Sequence, residues 1–242
     1  MKVAIFSDVH SNLEALEAVF KDMKREEPDK KFFLGDLVGY GPNPNECVEL
    51  IRENSDVVLA GNHDLAAVGL TDHSYFNPYA RDSLLWTIEL LTDANKDYLK
   101  SLKPTAVTDG VQLSHSSPLA PDEWRYVHSL QDAMDNYDSL VKNVCFIGHS
   151  HIPMIIEYAD ASNIIPIHDI YKTLEPKRKY IINAGSVGQP RDSNREACYL
   201  VYDDKIRNVS YRRVEYDLAR TQKKMTKAKL PEHLIKRLAE GR

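Results

Sequence analysis

Asp8 and His10 stand two residues apart just after the apolar run Val3-Ala4-Ile5-Phe6, and four further short apolar runs end in comparable groups. Asp36 follows the second run, Asn62-His63-Asp64 the third, His115 the fourth and His149-Ser150-His151 the fifth, so that five of the nine histidines lie at such ends. Singly each piece is weak, because an Asp-x-His pair suits a helix cap and an Asn-His pair a turn. Jointly they offer carboxylates, imidazoles and one amide oxygen, a donor set suited to Mn, Fe, Zn or Co and too rich in nitrogen for Ca or Mg. About seven candidate ligands exceed the three or four that one catalytic ion takes, and the Asp36 carboxylate is able to bridge. Two divalent ions ~3.5–4 Å apart clamp an in-line displacement at phosphorus and lower the pKa of a shared water, so that hydroxide attacks at neutral pH. The chemistry this predicts is phosphoester hydrolysis.

Such side chains converge only if the apolar runs are strands of an open α/β sheet, which gathers its ligands at strand ends. Their β-branched and aromatic content predicts buried strands over 3–6, 31–34, 57–60, 111–114, 144–147, 180–183, 197–202 and 209–214. Leu13, Leu16, Val19, Phe20 and Met23 recur at helical spacing, and a second helix over 45–53 is entered through Pro42 and Pro44. Strand, helix, strand in that order predicts a parallel sheet. After about residue 180 the helices give way to closely spaced strands, which predicts antiparallel pairing in a second sheet. Trp86, Leu90 and Leu91 fall in a helix after Pro78, and another helix is expected from Leu130. The stretch 159–178 reads as a long loop, the best candidate for a lid or insertion. Between Asp217 and Arg242 eight Lys or Arg face three acids, and Pro231 splits the stretch into two helical pieces. Its basic face reads either as a solvated surface packed on the sheet edge or as a nucleic-acid patch.

The 242 residues, 43% hydrophobic and 28% charged, suffice for a sizeable core and exclude disorder. A single domain over 1–242 is expected, with C-terminal helices over about 217–242 packing on it. Thirty-one Lys and Arg against thirty-six Asp and Glu leave a net charge of -5, hence no global positive field to collect nucleic acid or an anionic membrane. No apolar run approaches the ~18 residues of a membrane helix, and the first run is too short for a signal-peptide core, so a cytoplasmic location is expected. Cys47, Cys145 and Cys198 form no paired framework and are expected to be reduced core residues. The sequence carries no signal for oligomeric state.

The series Asp8-x-His10, Gly35-Asp36, Gly61-Asn62-His63-Asp64, His115 and Gly148-His149-Ser150-His151 resembles, in order, the motifs of the calcineurin-like metallophosphoesterase superfamily. The segment Asn183-Ala184-Gly185-Ser186-Val187-Gly188-Gln189-Pro190-Arg191 also resembles one common in its small prokaryotic members. The resemblance implies an α/β fold, a four-layer α/β/β/α sandwich of mixed sheets with a dinuclear site at one edge. It makes Asp8, His10, Asp36 and His151 ligands of one ion and Asp36, Asn62, His115 and His149 ligands of the other. The ions it implies are divalent transition metals, Mn first, then Fe, Zn, Co or Ni. His63 is implied to lie over the metals, stabilising phosphoryl oxygens or protonating the leaving group, with Asp64 orienting it. A plain hydrogen-bonding role for His63 stands beside that reading.

The chain departs from the family where the protein Ser/Thr phosphatases read G-D-x-V-D-R-G, because here the residues are Gly35-Asp36-Leu37-Val38-Gly39-Tyr40-Gly41. The missing Arg argues against that branch and against the symmetrical dinucleoside tetraphosphatases. Tyr40 could stack on a base, bond a phosphate, or pack on its own loop. Arg191 is the remaining candidate for a phosphate fork, or else a salt-bridge partner of Asp192. Tyr75, Phe76, Trp124, Tyr126 and Tyr171 could form a nucleobase platform or cap the core, and the loops 71–80, 116–130 and 159–178 are where substrate choice would lie. A small phosphodiester or nucleotide is the first expected substrate, and a phosphomonoester of a small molecule or protein the second. A non-catalytic metal-binding interaction module, or a nuclease using the basic C-terminus, are the competing readings.

Overall fold

In the computed structural model, which describes residues 1–167 and 169–242, β1 (Lys2–Phe6), β2 (Lys30–Phe33) and β3 (Val57–Val58) pair in parallel. They are joined by α1 (Leu13–Glu26) and α2 (Pro44–Asn54). Asn12 starts α1 by accepting the Ala15 N–H at 3.2 Å, and Glu27, left-handed at φ 47°, ends it. Pro44 opens α2, where its missing N–H leaves no helical bond unmade. Three helices follow, α3 (Asn62–Ala67), α4 (Pro78–Leu90) and α5 (Asp93–Ser101). Next come β4 (Thr105–Thr108), β5 (Val111–Ser114), α6 (Leu130–Asn136), β6 (Val144–Ile147) and β7 (Met154–Tyr158). The chain then runs through β8 (Ile164–Ile167), β9 (Tyr171–Thr173), β10 (Lys179–Asn183), β11 (Ala197–Asp203) and β12 (Asn208–Val214) to α7 (Leu218–Lys227) and α8 (Glu232–Glu240).

The strands form two mixed sheets, in the orders β3-β2-β1-β11-β12-β9 and β4-β5-β6-β10-β7-β8. Side-chain alternation explains the layers. Val3 and Ile5 of β1 meet Val144 and Phe146 of β6 and Tyr180 and Ile182 of β10 in a core between the sheets. Ala4 and Phe6 point the other way, onto Leu16, Val19 and Met23 of α1 and Val48 and Ile51 of α2. Cys145, Ile147 and Ile181 pack with Ala133 of α6 on the opposite outer face. The result is the expected four-layer α/β/β/α arrangement. The three cysteines are buried and unpaired, and no helix of the described residues is long and apolar enough to cross a membrane.

Two expectations need correction. β11 and β12 are antiparallel as predicted, yet they extend the first sheet beside β1 rather than forming a second, which is built from β4 to β8 and β10. The stretch 159–178 is no simple loop: β8 edges one sheet and β9 the other, with residue 168 outside the described residues. Both are short edge strands with no fully buried position, and Pro166 argues against a strand in sequence, so neither shows the alternation of a half-buried strand. β4, β7 and α5 were likewise not anticipated.

The basic C-terminal stretch packs on the molecule as two helices. Glu14, buried at the start of α1, accepts the Thr221 hydroxyl at 3.1 Å and pairs with Lys224 at 2.6 Å and Arg220 at 3.1 Å. Two of the α7 cations are thereby neutralised against the core, which favours the packed-helix reading over the nucleic-acid patch. Glu14→Gln should destabilise the fold by about 1–3 kcal/mol, less than a fully buried pair because Arg220 and Lys224 can return to water. Equilibrium unfolding in urea tests this, and an unchanged midpoint would refute it.

Candidate metal centre

β1, β2, β5 and β6 all deliver their C-terminal ends to one edge, where Asp8, His10, Asp36, His115, His149 and His151 meet. Asp8, His10, Asp36 and His151 each place a ligand atom within 4.8 Å of the others, and Asp36, His115 and His149 do the same. Asp36 belongs to both groups. Its Oδ2 lies 3.5 Å from His10 Nε2 and 3.4 Å from His115 Nε2.

Backbone carbonyls decide which imidazole nitrogen carries the proton. Nδ1–H of His10 donates to Val38 O at 2.9 Å, that of His115 to Leu34 O at 2.9 Å, and that of His151 to Gln189 O at 2.6 Å. His149 is turned the other way, its Nε2–H donating to Trp124 O at 2.8 Å. The remaining nitrogens therefore present lone pairs to the cluster. His10 Nε2 and His151 Nε2 stand 3.1 Å apart with no proton between them. Asp8 Oδ1, Asn62 Oδ1 and His115 Nε2 are buried without a hydrogen-bond partner among the described residues. Acceptors without donors in a dry site repel one another unless a cation sits among them, so these residues fit divalent metal.

The titration of the protein groups points the same way. Burial holds His10 and His151 well below the usual imidazole range and brings His149 to about 3, so all three stay neutral and able to ligate. Burial pushes Asp8 up to about 7. Against its own burial, Asp36 is held well below the usual carboxylate range by His115 and His63, and His115 in turn is pushed up to about 9 by Asp36 in spite of burial. Without a metal ion, protons must supply the positive charge this cluster needs.

The backbone is bent to fit. Asp8, His10, Asp36, His149 and His151 all adopt the left-handed conformation, at φ 55°, 47°, 59°, 66° and 62°. This costs roughly 1 kcal/mol for each non-glycine residue, a strain concentrated where the ligands turn off their strands. Gly61 is glycine for a steric reason, since a Cβ there would come within 2.0 Å of Asp36 Oδ1. Gly61→Ala must displace the Asp36 carboxylate, and the affinity of the protein for added Mn is expected to fall about tenfold or more. Calorimetric titration that shows an unchanged affinity would refute it.

The calcineurin-like phosphoesterase superfamily domain matches residues 1–205. The chain belongs to this superfamily. An uncharacterized protein of Methanocaldococcus jannaschii is 41% identical over 246 residues, covering 99% of this chain and 98% of that protein. The crystal structure of a metallophosphoesterase from Sphaerobacter thermophilus is 40% identical, covers 100% of this chain and 99% of its own, and superposes with a TM-score of 0.90. A hypothetical protein of Pyrococcus horikoshii, 20% identical over 100% of this chain and 98% of its own, shares the fold with a TM-score of 0.82.

Three residues of this superfamily member take places that the sequence either assigned differently, as for Asp64, or left open, as for Tyr40 and Arg191. Asp64 does not orient His63. One oxygen accepts the N–H of Asp36 at 2.8 Å and of Gly61 at 2.9 Å, the other those of Leu37 at 2.8 Å and Val38 at 3.1 Å, so the carboxylate is a clamp on the loop that carries Asp36. His63 Nδ1 is buried without a partner among the described residues, while its backbone N–H donates to Asp36 Oδ1 at 2.9 Å. Tyr40 is no base platform: it is 6% exposed, its ring lying 4.6 Å from both His10 and His63 and covered by Met225, Leu234 and Leu238 of the C-terminal helices. Arg191 makes no ion pair with Asp192, which pairs with Arg213 instead. Its guanidinium bonds Gln189 Oε1 at 2.9 Å and the Tyr40 hydroxyl at 3.5 Å.

Of the aromatic candidates, Phe76 packs 4.7 Å from His63, and Trp124 lies 6.0 Å from His115. Tyr126 stacks on His149 at 4.2 Å and on His128 at 4.8 Å. Tyr75 is 90% exposed, and Tyr171 lies in the edge strand β9. The loops 71–80 and 116–130 thus border the site. Sequence reading missed the carbonyls of Leu34, Val38, Trp124 and Gln189 entirely, because a backbone acceptor leaves no mark in residue type.

Proposed function

We propose that the chain is a dinuclear metal-dependent phosphoesterase acting on a small phosphodiester or nucleotide. The observation that carries this reading is Asp36 Oδ2, one carboxylate oxygen common to two convergent sets of lone pairs. Asp8, His10, Asp36 and His151 would hold one ion, and Asp36, Asn62, His115 and His149 the other. Divalent ions bound there supply charge neutralisation at phosphorus and hydroxide at neutral pH. The protein's own part is positional: Leu34, Val38, Gln189 and Trp124 fix the imidazole tautomers, and the Asp64 clamp fixes Asp36.

His63, pushed down to about 4 by burial, is neutral at working pH and acts as an N–H donor to the phosphoryl oxygens or the leaving group. Arg191, without a carboxylate partner among the described residues, offers its fork to a phosphate oxygen. The completeness of the ligand set weighs against a non-catalytic module.

Elemental analysis after purification without added metal, followed by assay on a bis-aryl phosphodiester and an aryl monophosphate with Mn, Co, Ni, Zn or Mg restored, tests the reading. About two equivalents per chain with hydrolysis supports it, and the ratio of the two rates selects diester or monoester. No metal uptake under any condition overturns it.

A further inference from the structure

The imidazoles of His10, His115, His149 and His151 each take their orientation from a backbone carbonyl, but the ring of His63 has no such anchor at Nδ1, which is buried without a partner among the described residues. The main chain beside it explains why. Gly39 is left-handed at φ 87°, and a Cβ there would come within 2.4 Å of His63 Nδ1, so the glycine lies flush against that nitrogen. A proton on Nδ1 would meet only the C–H of Gly39, which places it on Nε2 instead. With no hydrogen bond at Nδ1 to orient the ring, packing must do so. Three rings stand against it, Tyr40 at 4.6 Å, Phe76 at 4.7 Å and His10 at 4.9 Å between centroids.

Two of the three are fixed from elsewhere in the fold. Tyr40 is backed by Met225, Leu234 and Leu238, and His10 is held by its bond to Val38 O. Phe76 comes from the loop between α3 and α4, and its main chain is tied at both sides: its N–H donates to His73 O at 3.1 Å, while the next residue, Asn77, starts α4 by accepting the Ala80 N–H at 3.0 Å. Tyr75 beside it is 90% exposed, whereas Phe76 packs against the cluster that contains Tyr40. We propose that Phe76 is a positioning residue for the reaction, its ring holding the His63 imidazole with Tyr40 so that the Nε2–H keeps one orientation for the phosphoryl group. This rests on the phosphoesterase reading and deepens it by adding a residue that lies outside the ligand motifs. A reacting group must be held to within about 0.5 Å, and a flat aromatic neighbour secures that by packing where a hydrogen bond is missing.

Steady-state kinetics of Mn-loaded Phe76→Ala on bis(p-nitrophenyl) phosphate, with metal content measured on the same sample, test the proposal. kcat should fall about tenfold or more, with KM within about twofold of the parent and bound Mn unchanged. Phe76→Tyr keeps the ring and should stay within about twofold of the parent in kcat. In a His63→Ala background Phe76→Ala should lower kcat no further, because its effect passes through His63. An additive loss in that background overturns the proposal, as does a kcat within about twofold of the parent in Phe76→Ala, or an equal fall in Phe76→Tyr. Should Phe76→Ala fail to fold, Phe76→Leu, which keeps much of the volume without the flat face, takes its place in the same cycle under the same criteria. Long-range proton–nitrogen correlation spectra of the Zn-loaded protein read the ring without turnover. The parent should show His63 as a single Nε2–H tautomer, and Phe76→Ala should lose that distinction; identical His63 signals in both overturn the proposal. Absence of hydrolysis by the parent, with the spectra changing as expected, overturns the phosphoesterase reading alone.

Discussion

Asp36→Asn is expected to lower kcat on an aryl phosphodiester by roughly three orders of magnitude and to reduce bound metal below two equivalents per chain. The side chain has one oxygen facing His10 and His115 and the other accepting the His63 N–H. An amide cannot serve both sides. If its oxygen faces the imidazoles, its NH2 opposes the His63 N–H; if it is turned, a donor points at the imidazoles. Either orientation also removes the negative charge that a divalent ion there would need. The size of the side chain is unchanged, so the two cores between and around the sheets are untouched. Elemental analysis and steady-state kinetics on the same sample check the result, and activity within tenfold of the parent would refute the shared-ligand role.

Asp64→Asn should act on stability first. Four backbone N–H groups converge on this buried carboxylate, two on each oxygen. Bonds to a charged acceptor contribute about 1.5–3 kcal/mol each, and an amide would leave two donors facing its own NH2. A net loss of about 3–5 kcal/mol is expected after relaxation, or a fall in Tm of roughly 10 °C for a chain of this length. Because the donors belong to Gly61 and to the Asp36–Val38 turn, metal affinity should fall with stability. Thermal unfolding with and without added Mn measures both. A Tm within about 2 °C of the parent would show that the clamp matters little.

The strands at 111–114 and 144–147 were legible to the residue, and those near 3–6 and 180–183 to within one residue, because buried strands announce themselves in short apolar runs. The candidate ligands were legible for a related reason: metal chemistry uses side-chain types that rarely end an apolar strand by accident, and each stands one to four residues after its strand. What those runs could not reveal was partnership. β11 and β12 join the first sheet because Tyr202 and Leu200 meet Val3 and Ile5 across nearly the whole chain, a choice made by packing and not by local propensity. The edge strands β8 and β9 have too few buried positions to show alternation.

At the site, amino-acid type determined what could bind, and the tertiary structure decided how. That seven donors sit at the ends of five apolar runs follows from the sequence alone. That three imidazoles present Nε2 and one presents Nδ1 depends on carbonyls as distant as Leu34 is from His115, 81 residues away. His10 and His151, 141 residues apart, face each other only because β1 and β6 end at the same edge. The clamp by Asp64 and the burial of Tyr40 belong to the same class. A side chain's identity is local and is written in the chain, whereas its hydrogen-bond partner, its burial and hence its pKa are set by whichever remote segments pack against it.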